Sequence, residues 1–220
     1  MEQLLAERLA LELKIDITQV VREYWEVVLL NRLFEPPESK NLVFKGGTAL
    51  RLAYGSPRFS EDLDFSLSED DLRDVFQDMA AALVKPFAAA KITNVAAKRW
   101  TYLCEIRVTE GYLAQPFRVK LKVSRRPAPK YESELRLITS PTTPVQALGS
   151  VATLEQMFQD KQDCIASRAA PKDIFDLWFI SQKLGIPYKA PDTKITPGEL
   201  KRELAKYLPS DYQRVIGELL

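Results

Sequence analysis

Apolar residues recur at helical spacing in two stretches near the start of the chain, 3–13 and 16–33. The second carries Val20, Val21, Tyr24, Val27, Val28 and Leu30, the stripe of a helix packed on a core. The turn Glu35-Pro36-Pro37-Glu38 stops it. The period then shortens. Asn41-Leu42-Val43-Phe44 reads as a short strand, 48–54 as a helix entered through the Gly46-Gly47 turn, and 63–67 as a second strand. Residues 69–89 read as one long helix, capped by Ser68 and acidic at its positive end. Residues 100–109 and 116–124 alternate apolar and polar as half-buried strands do, with Gly111 at a hairpin turn between them. Residues 134–138 add a further strand. From Ser150 the helical period returns, over 153–167 and 172–184. A linker with three prolines follows at 187–197, then one or two closing helices. The pattern predicts an α+β fold: N-terminal helices, a small mixed-sheet core and a helical C-terminal half. The expected division is 1–145 for the core with its leading helices and 146–220 for the helical region.

Composition narrows the chemistry. With 220 residues, 46% of them hydrophobic, the chain can bury a core without disulfides or metals. The net charge of +1 provides no global field for nucleic acid, so any such contact must use a local patch. There is no histidine, which removes histidine triads, histidine zinc sites and HExxH chemistry. Carboxylates, lysines, hydroxyls and metal-bound water remain. Cys104 and Cys164 stand in apolar surroundings and are expected to be buried free thiols, as suits a reducing cytoplasm. The N-terminus MEQLLAERLALELKID is charged every few residues and reads as an amphipathic helix, not a signal peptide. No apolar run approaches the roughly 18 residues of a membrane span. The expectation is a cytoplasmic protein with no membrane partner.

One constellation carries the chemistry. It runs Phe44-Lys45-Gly46-Gly47-Thr48-Ala49-Leu50, then Arg58-Phe59-Ser60-Glu61-Asp62-Leu63-Asp64-Phe65. A Gly-Gly turn between strand and helix exposes backbone N–H groups at a helix N-terminus, where orphan donors and the helix dipole both favour anions. On a strand, Asp62 and Asp64 point to one face while Leu63 and Phe65 point to the core. Adjacent carboxylates repel, and a divalent cation removes that cost; oxygen ligands of this kind suit Mg²⁺ or Mn²⁺. Either motif alone is common for structural reasons. Together they pair a phosphate cradle with a metal site.

The pattern Gly-Gly-Thr-x-Leu followed by Arg-x-Ser-x-Asp-x-Asp resembles the AbiEii/AbiGii nucleotidyltransferase toxins of the DNA polymerase β-like superfamily. Further on, Lys161 in MFQDKQDCIASR and the segment Pro171-Lys172-Asp173-Ile174-Phe175-Asp176-Leu177 match the family's helical lysine and Lys-Asp-x-x-Asp. The resemblance covers about residues 40–185. It implies that Gly46, Gly47 and Thr48 cradle the phosphates of an NTP and that Asp62 and Asp64 ligate the metal. Arg58 and Ser60 would brace the carboxylate strand or touch phosphate, and Lys161 and Asp176 would complete the nucleotide site. It also implies a toxin–antitoxin role, an RNA acceptor such as tRNA and a DNA-binding antitoxin as partner. Read without the resemblance, Lys161 could be a solvated helix residue, and Asp173 and Asp176 could pair with Lys172 or Arg168.

One departure stands out. Enzymes of that superfamily place a third carboxylate on a later strand, whereas Phe117-Arg118-Val119-Lys120-Leu121-Lys122-Val123-Ser124 carries lysines. Glu105 and Asp176 are the substitutes to test, with a single-metal site or lost activity as alternatives. Lys98, Arg99, Arg118, Lys120, Lys122, Arg125, Arg126 and Lys130, with Trp100, Tyr102 and Tyr131, form a basic, aromatic cluster suited to a nucleic-acid acceptor or, more plainly, to a solvated hairpin face. A small-molecule nucleotidyltransferase and an inactive nucleotide-binding module remain as alternatives.

Overall fold

The structure, a computed structural model, describes residues 1–68, 72–126 and 131–219. Its strands are β1 (Leu42–Lys45), β2 (Asp62–Leu67), β3 (Ala90–Lys98), β4 (Thr101–Val108), β5 (Phe117–Ser124), β6 (Ser133–Ser140) and β7 (Thr143–Ala152). They form one mixed sheet in the order β3-β4-β5-β2-β1-β7-β6. The helices are α1 (Gln3–Leu13), α2 (Ile17–Leu33), α3 (Gly46–Tyr54), α4 (Phe76–Val84), α5 (Leu154–Ser167), α6 (Pro171–Leu184) and α7 (Pro197–Leu204). This is the mixed α/β architecture that the pattern predicts.

The central strands decide where chemistry can occur. In β2 the residues alternate, so Leu63 and Phe65 are buried while Asp62 and Asp64 keep partial exposure on the opposite face. β5 does the same beside it: Phe117, Val119, Leu121 and Val123 are buried, and Arg118, Lys120, Lys122 and Ser124 share the other face. Helices α2 and α4 cover the apolar face. Phe34, just after α2, meets the Phe65 ring edge-on at 6.1 Å between centroids, and Phe76 of α4 stacks on Tyr102 at 4.9 Å. The polar face of β2 and β5 becomes the floor of a cleft walled by α5 and the start of α6.

Several element boundaries differ from the sequence reading. The expected helix over 69–89 is the shorter α4; residues 69–71 lie outside the described part of the chain. Ser68 does not cap a helix, since its hydroxyl and backbone N–H both bond the Asn41 carbonyl. Past Pro86 the chain enters β3, which pairs antiparallel with β4. β7 is the other unforeseen strand. Its Gly149 packs so tightly on the Phe34 ring that a Cβ there would overlap it. The division drawn at 145/146 falls inside β7, which bonds both β6 and β1 and carries the sheet to Ala152.

Candidate active site

The Gly-Gly turn leads from β1 straight into α3. Gly46 adopts φ +79°, a left-handed conformation that side chains resist, and a Cβ there would stand 3.1 Å from Asp64 Oδ2. A Cβ on Gly47 would overlap the Arg58 guanidinium and lie 2.9 Å from Ser60 Oγ. The two glycines therefore let the start of α3 press against Asp64, Arg58 and Ser60. Thr48 is fully buried, and its hydroxyl donates to the Asp62 carbonyl at 2.6 Å. It stitches α3 to β2 and presents no surface to the cleft.

The two aspartates lie side by side on the cleft floor. β2 and β5 run parallel, with Asp62 opposite Lys120 and Asp64 opposite Lys122. Lys122 reaches back to Asp62, its Nζ 2.6 Å from Oδ2. Burial pulls against the Lys122 ammonium, but the bond to Asp62 and the charge of Asp64 outweigh it and lift its pKa. Asp64 lies deeper. Burial raises its carboxyl pKa, with Lys122 acting against the shift and Asp62 adding to it. Lys122, Lys161 and Lys45 act on Asp64 by charge alone, with no hydrogen bond to it among the described residues. Two oxygen donors on one face, one of them deep and without a bonded partner, fit a hard divalent cation. Among the described residues no third acid joins them. Glu105 faces Lys120, which faces Asp62, so two strand spacings separate it from the pair. Asp176 is buried and spent on other partners.

Those partners form the helical wall. Asp176 is fully buried on α6 and takes a two-pronged bond from Arg58, Nε to Oδ1 at 2.7 Å and Nη2 to Oδ2 at 2.8 Å. Lys161 of α5 lies 2.7 Å from the same Oδ2 and 2.8 Å from Asp173 Oδ1. Arg168 closes the group at 3.1 Å from Asp173 Oδ2. Burial raises the Asp176 pKa, yet Arg58 and Lys161 more than reverse this and hold it below its ordinary value. Burial likewise opposes the charge of Lys161, and Asp176 and Asp173 override it. Arg58 and Lys161 touch the cleft, whereas Asp176 stands behind it and positions them.

A third group has no local signature in the sequence. Glu61, between Ser60 and Asp62, accepts a bond from the Tyr207 hydroxyl at 2.8 Å and lies 3.5 Å from both Arg22 and Lys172. The Phe59 N–H also bonds the Tyr207 carbonyl. The segment after α7 thus clamps the residues leading into β2, across 146 positions that no local pattern connects. The cleft encloses about 760 Å³. It brings together Gly46, Gly47, Arg58, Ser60, Asp62, Asp64 and Lys161 of the expected site and omits Thr48 and Asp176. Lys45, Lys122, Arg168 and Lys172 add positive charge to its lining. Cys104 is buried as expected, but Cys164 is only partly buried and lines the cleft.

A family model, that of the nucleotidyl transferase AbiEii toxin of type IV toxin–antitoxin systems, matches residues 28–216. The chain belongs to this family. It is a toxin-type nucleotidyltransferase, of a family paired with an antitoxin. Among solved structures it is similar to MenT4, a nucleotidyltransferase toxin from Mycobacterium tuberculosis. The TM-score is 0.61 at 18% identity, over 92% of this chain and 68% of that one. It is also similar to JHP933 from Helicobacter pylori, with TM-score 0.55 at 20% identity, over 76% of this chain and 68% of that one. At these identities the likeness is one of fold. No curated protein matches the sequence. Among the described residues no helix is long and apolar enough to cross a membrane.

Proposed function

We propose that this AbiEii-family chain transfers a nucleoside monophosphate from an NTP to a hydroxyl of an RNA, such as tRNA, in a metal-dependent reaction at Asp62 and Asp64. The observation that carries this reading is the convergence of the two aspartates with the Gly46-Gly47 helix entry on one cleft floor. Asp62 and Asp64 would hold Mg²⁺ or Mn²⁺, which when bound neutralises charge on the triphosphate and on departing pyrophosphate. The N–H groups at the start of α3 face a phosphate, with Ser60 beside them. Lys161 and Arg58, held charged by Asp176, give the triphosphate a fixed positive wall.

An open basic face favours a polynucleotide acceptor. Beside the cleft, β4 and β5 present Arg107 opposite Arg118, then Glu105 opposite Lys120, then Thr101 opposite Ser124. Lys98 continues the row on β3, and Trp100 is 43% exposed with the Arg99 guanidinium 5.0 Å from its ring. Basic residues track phosphates and an exposed indole stacks on a base. Lys130 of the same sequence cluster lies outside the described residues. A cytoplasmic setting and a DNA-binding antitoxin complete the proposal. The test is incubation with each α-labelled NTP, Mg²⁺ and total RNA. Label entering RNA supports the reading. Label only on an added aminoglycoside points to a small-molecule transferase, and binding without transfer points to an inactive module.

A further inference from the structure

We propose that Lys122 is a resident cation occupying the metal position at Asp62 in the nucleotide-free protein, so that divalent metal enters together with NTP rather than before it. This rests on the function proposed above. Lys122 Nζ lies 2.6 Å from Asp62 Oδ2. A divalent ion such as Mg²⁺ bound to that oxygen would lie about 2.1 Å away, so ion and ammonium compete for one space. The strand pairing keeps them in competition. Lys122 is opposite Asp64 on a parallel neighbour in unbroken register, so its stem always rises beside both aspartates.

Charge points the same way. Asp62 and Asp64 less Lys122 leave one negative charge for a divalent ion, too little to bind it well. A triphosphate brings its own negative charge and offers the ammonium a new partner. Lys122 can make that move because its side chain is 36% exposed and lines the cleft. The other lysines there are committed elsewhere: Lys161 to Asp173 and Asp176, Lys172 to Glu61, and Lys45 to Asp160. Lys122 thus passes from Asp62 to phosphate as the metal arrives, coupling the two ligands.

Mn²⁺ binding, followed by the electron paramagnetic resonance signal of the free ion, tests this without turnover. It is measured with and without the α,β-methylene analogues of the four NTPs. Wild type should bind Mn²⁺ weakly alone and ~10-fold or more tightly with an analogue, within the usual range of such couplings. Lys122→Gln should bind Mn²⁺ about 10-fold more tightly without nucleotide and lose most of the coupling. Lys122→Met should behave alike, and Lys122→Arg should keep the wild-type pattern. Equal nucleotide-free Mn²⁺ affinity in wild type, Lys122→Gln and Lys122→Met overturns the proposal. If no analogue binds any variant, the nucleotidyl-transfer reading of the cleft and the coupling both fall. The nucleotide-free comparison then still decides whether Lys122 holds the metal position.

Discussion

Two charged groups face each other across the cleft, and they differ in burial. On the strand side, Lys122 and Asp62 form a pair whose side chains are 36% and 33% exposed. On the helical side, Arg58, Lys161, Asp173 and Asp176 interlock with Arg58 and Asp176 almost fully excluded from solvent. An exposed pair is worth about 0–1 kcal/mol, because water competes for both partners and the side chains lose freedom. It can be exchanged for a substrate at little cost. A buried network resists exchange, because removing one member strands the charges of the others. The helical side is therefore built to hold geometry, and the strand side to exchange partners if, as proposed, metal and nucleotide bind there.

The contrast breaks most visibly at Asp176. Replacing it with Ala leaves Arg58 buried without a carboxylate and Lys161 with Asp173 alone, and about 3–5 kcal/mol of stability should be lost in urea denaturation. A loss below about 1 kcal/mol would mean that the network behaves like a surface pair. Gly47→Ala comes next. The new methyl group would enter the space of the Arg58 guanidinium, and an overpacked site of this kind costs about 1–3 kcal/mol. Thermal melting measures it, and transfer activity should fall with it as Arg58 is pushed from Asp176.

Acidity sharpens the comparison. Asp176 and Glu26 are both buried acids, but Asp176 has two bonded cations whereas Glu26 Oε1 has no hydrogen-bond partner. Burial pushes the Glu26 pKa well above its ordinary 4.5, only partly offset by Arg22. Above pH 4.5 the unfolded chain releases this proton while the folded protein keeps it, so the Glu26 contribution to stability falls as pH rises toward its folded pKa. For Asp176 the sign reverses: its lowered pKa stabilises the fold above the ordinary carboxylate range and is lost as pH falls through the folded value. Denaturation midpoints across pH should show Glu26→Gln flattening the alkaline decline and leaving the acid limb unchanged. The smallest effect belongs to the strand side. Lys122→Met should shift stability by no more than about 1 kcal/mol, since its pair with Asp62 is solvated.

What the sequence disclosed divides along the same line. The Gly46-Gly47 turn, the Asp62 and Asp64 alternation and the helix holding Lys161 are local patterns, and each stands in its expected element. Alternation also exposed the want of a third acid on β5, where Lys122 now bonds Asp62. Tertiary packing stayed hidden. The alanine-rich run before β3 favours a helix in isolation, and Pro86 with antiparallel pairing to β4 overrides that preference. Pro144 and Gly149 disguise β7 as a loop, although Gly149 is there to admit the Phe34 ring. The family resemblance assigns Thr48 and Asp176 to the nucleotide site. Their bonds to the Asp62 carbonyl and to Arg58 show only once the chain is folded.

In the proposed reaction Asp62 and Asp64 form the reacting centre while the helical network holds it in shape. Metal-dependent pyrophosphate release in the presence of total RNA, compared among wild type, Asp62→Asn and Asp64→Asn, tests it most directly. Each substitution should abolish release while leaving the melting transition cooperative and within a few degrees of wild type. Near-normal release by either folded variant would contradict the account and place the chemistry elsewhere in the cleft.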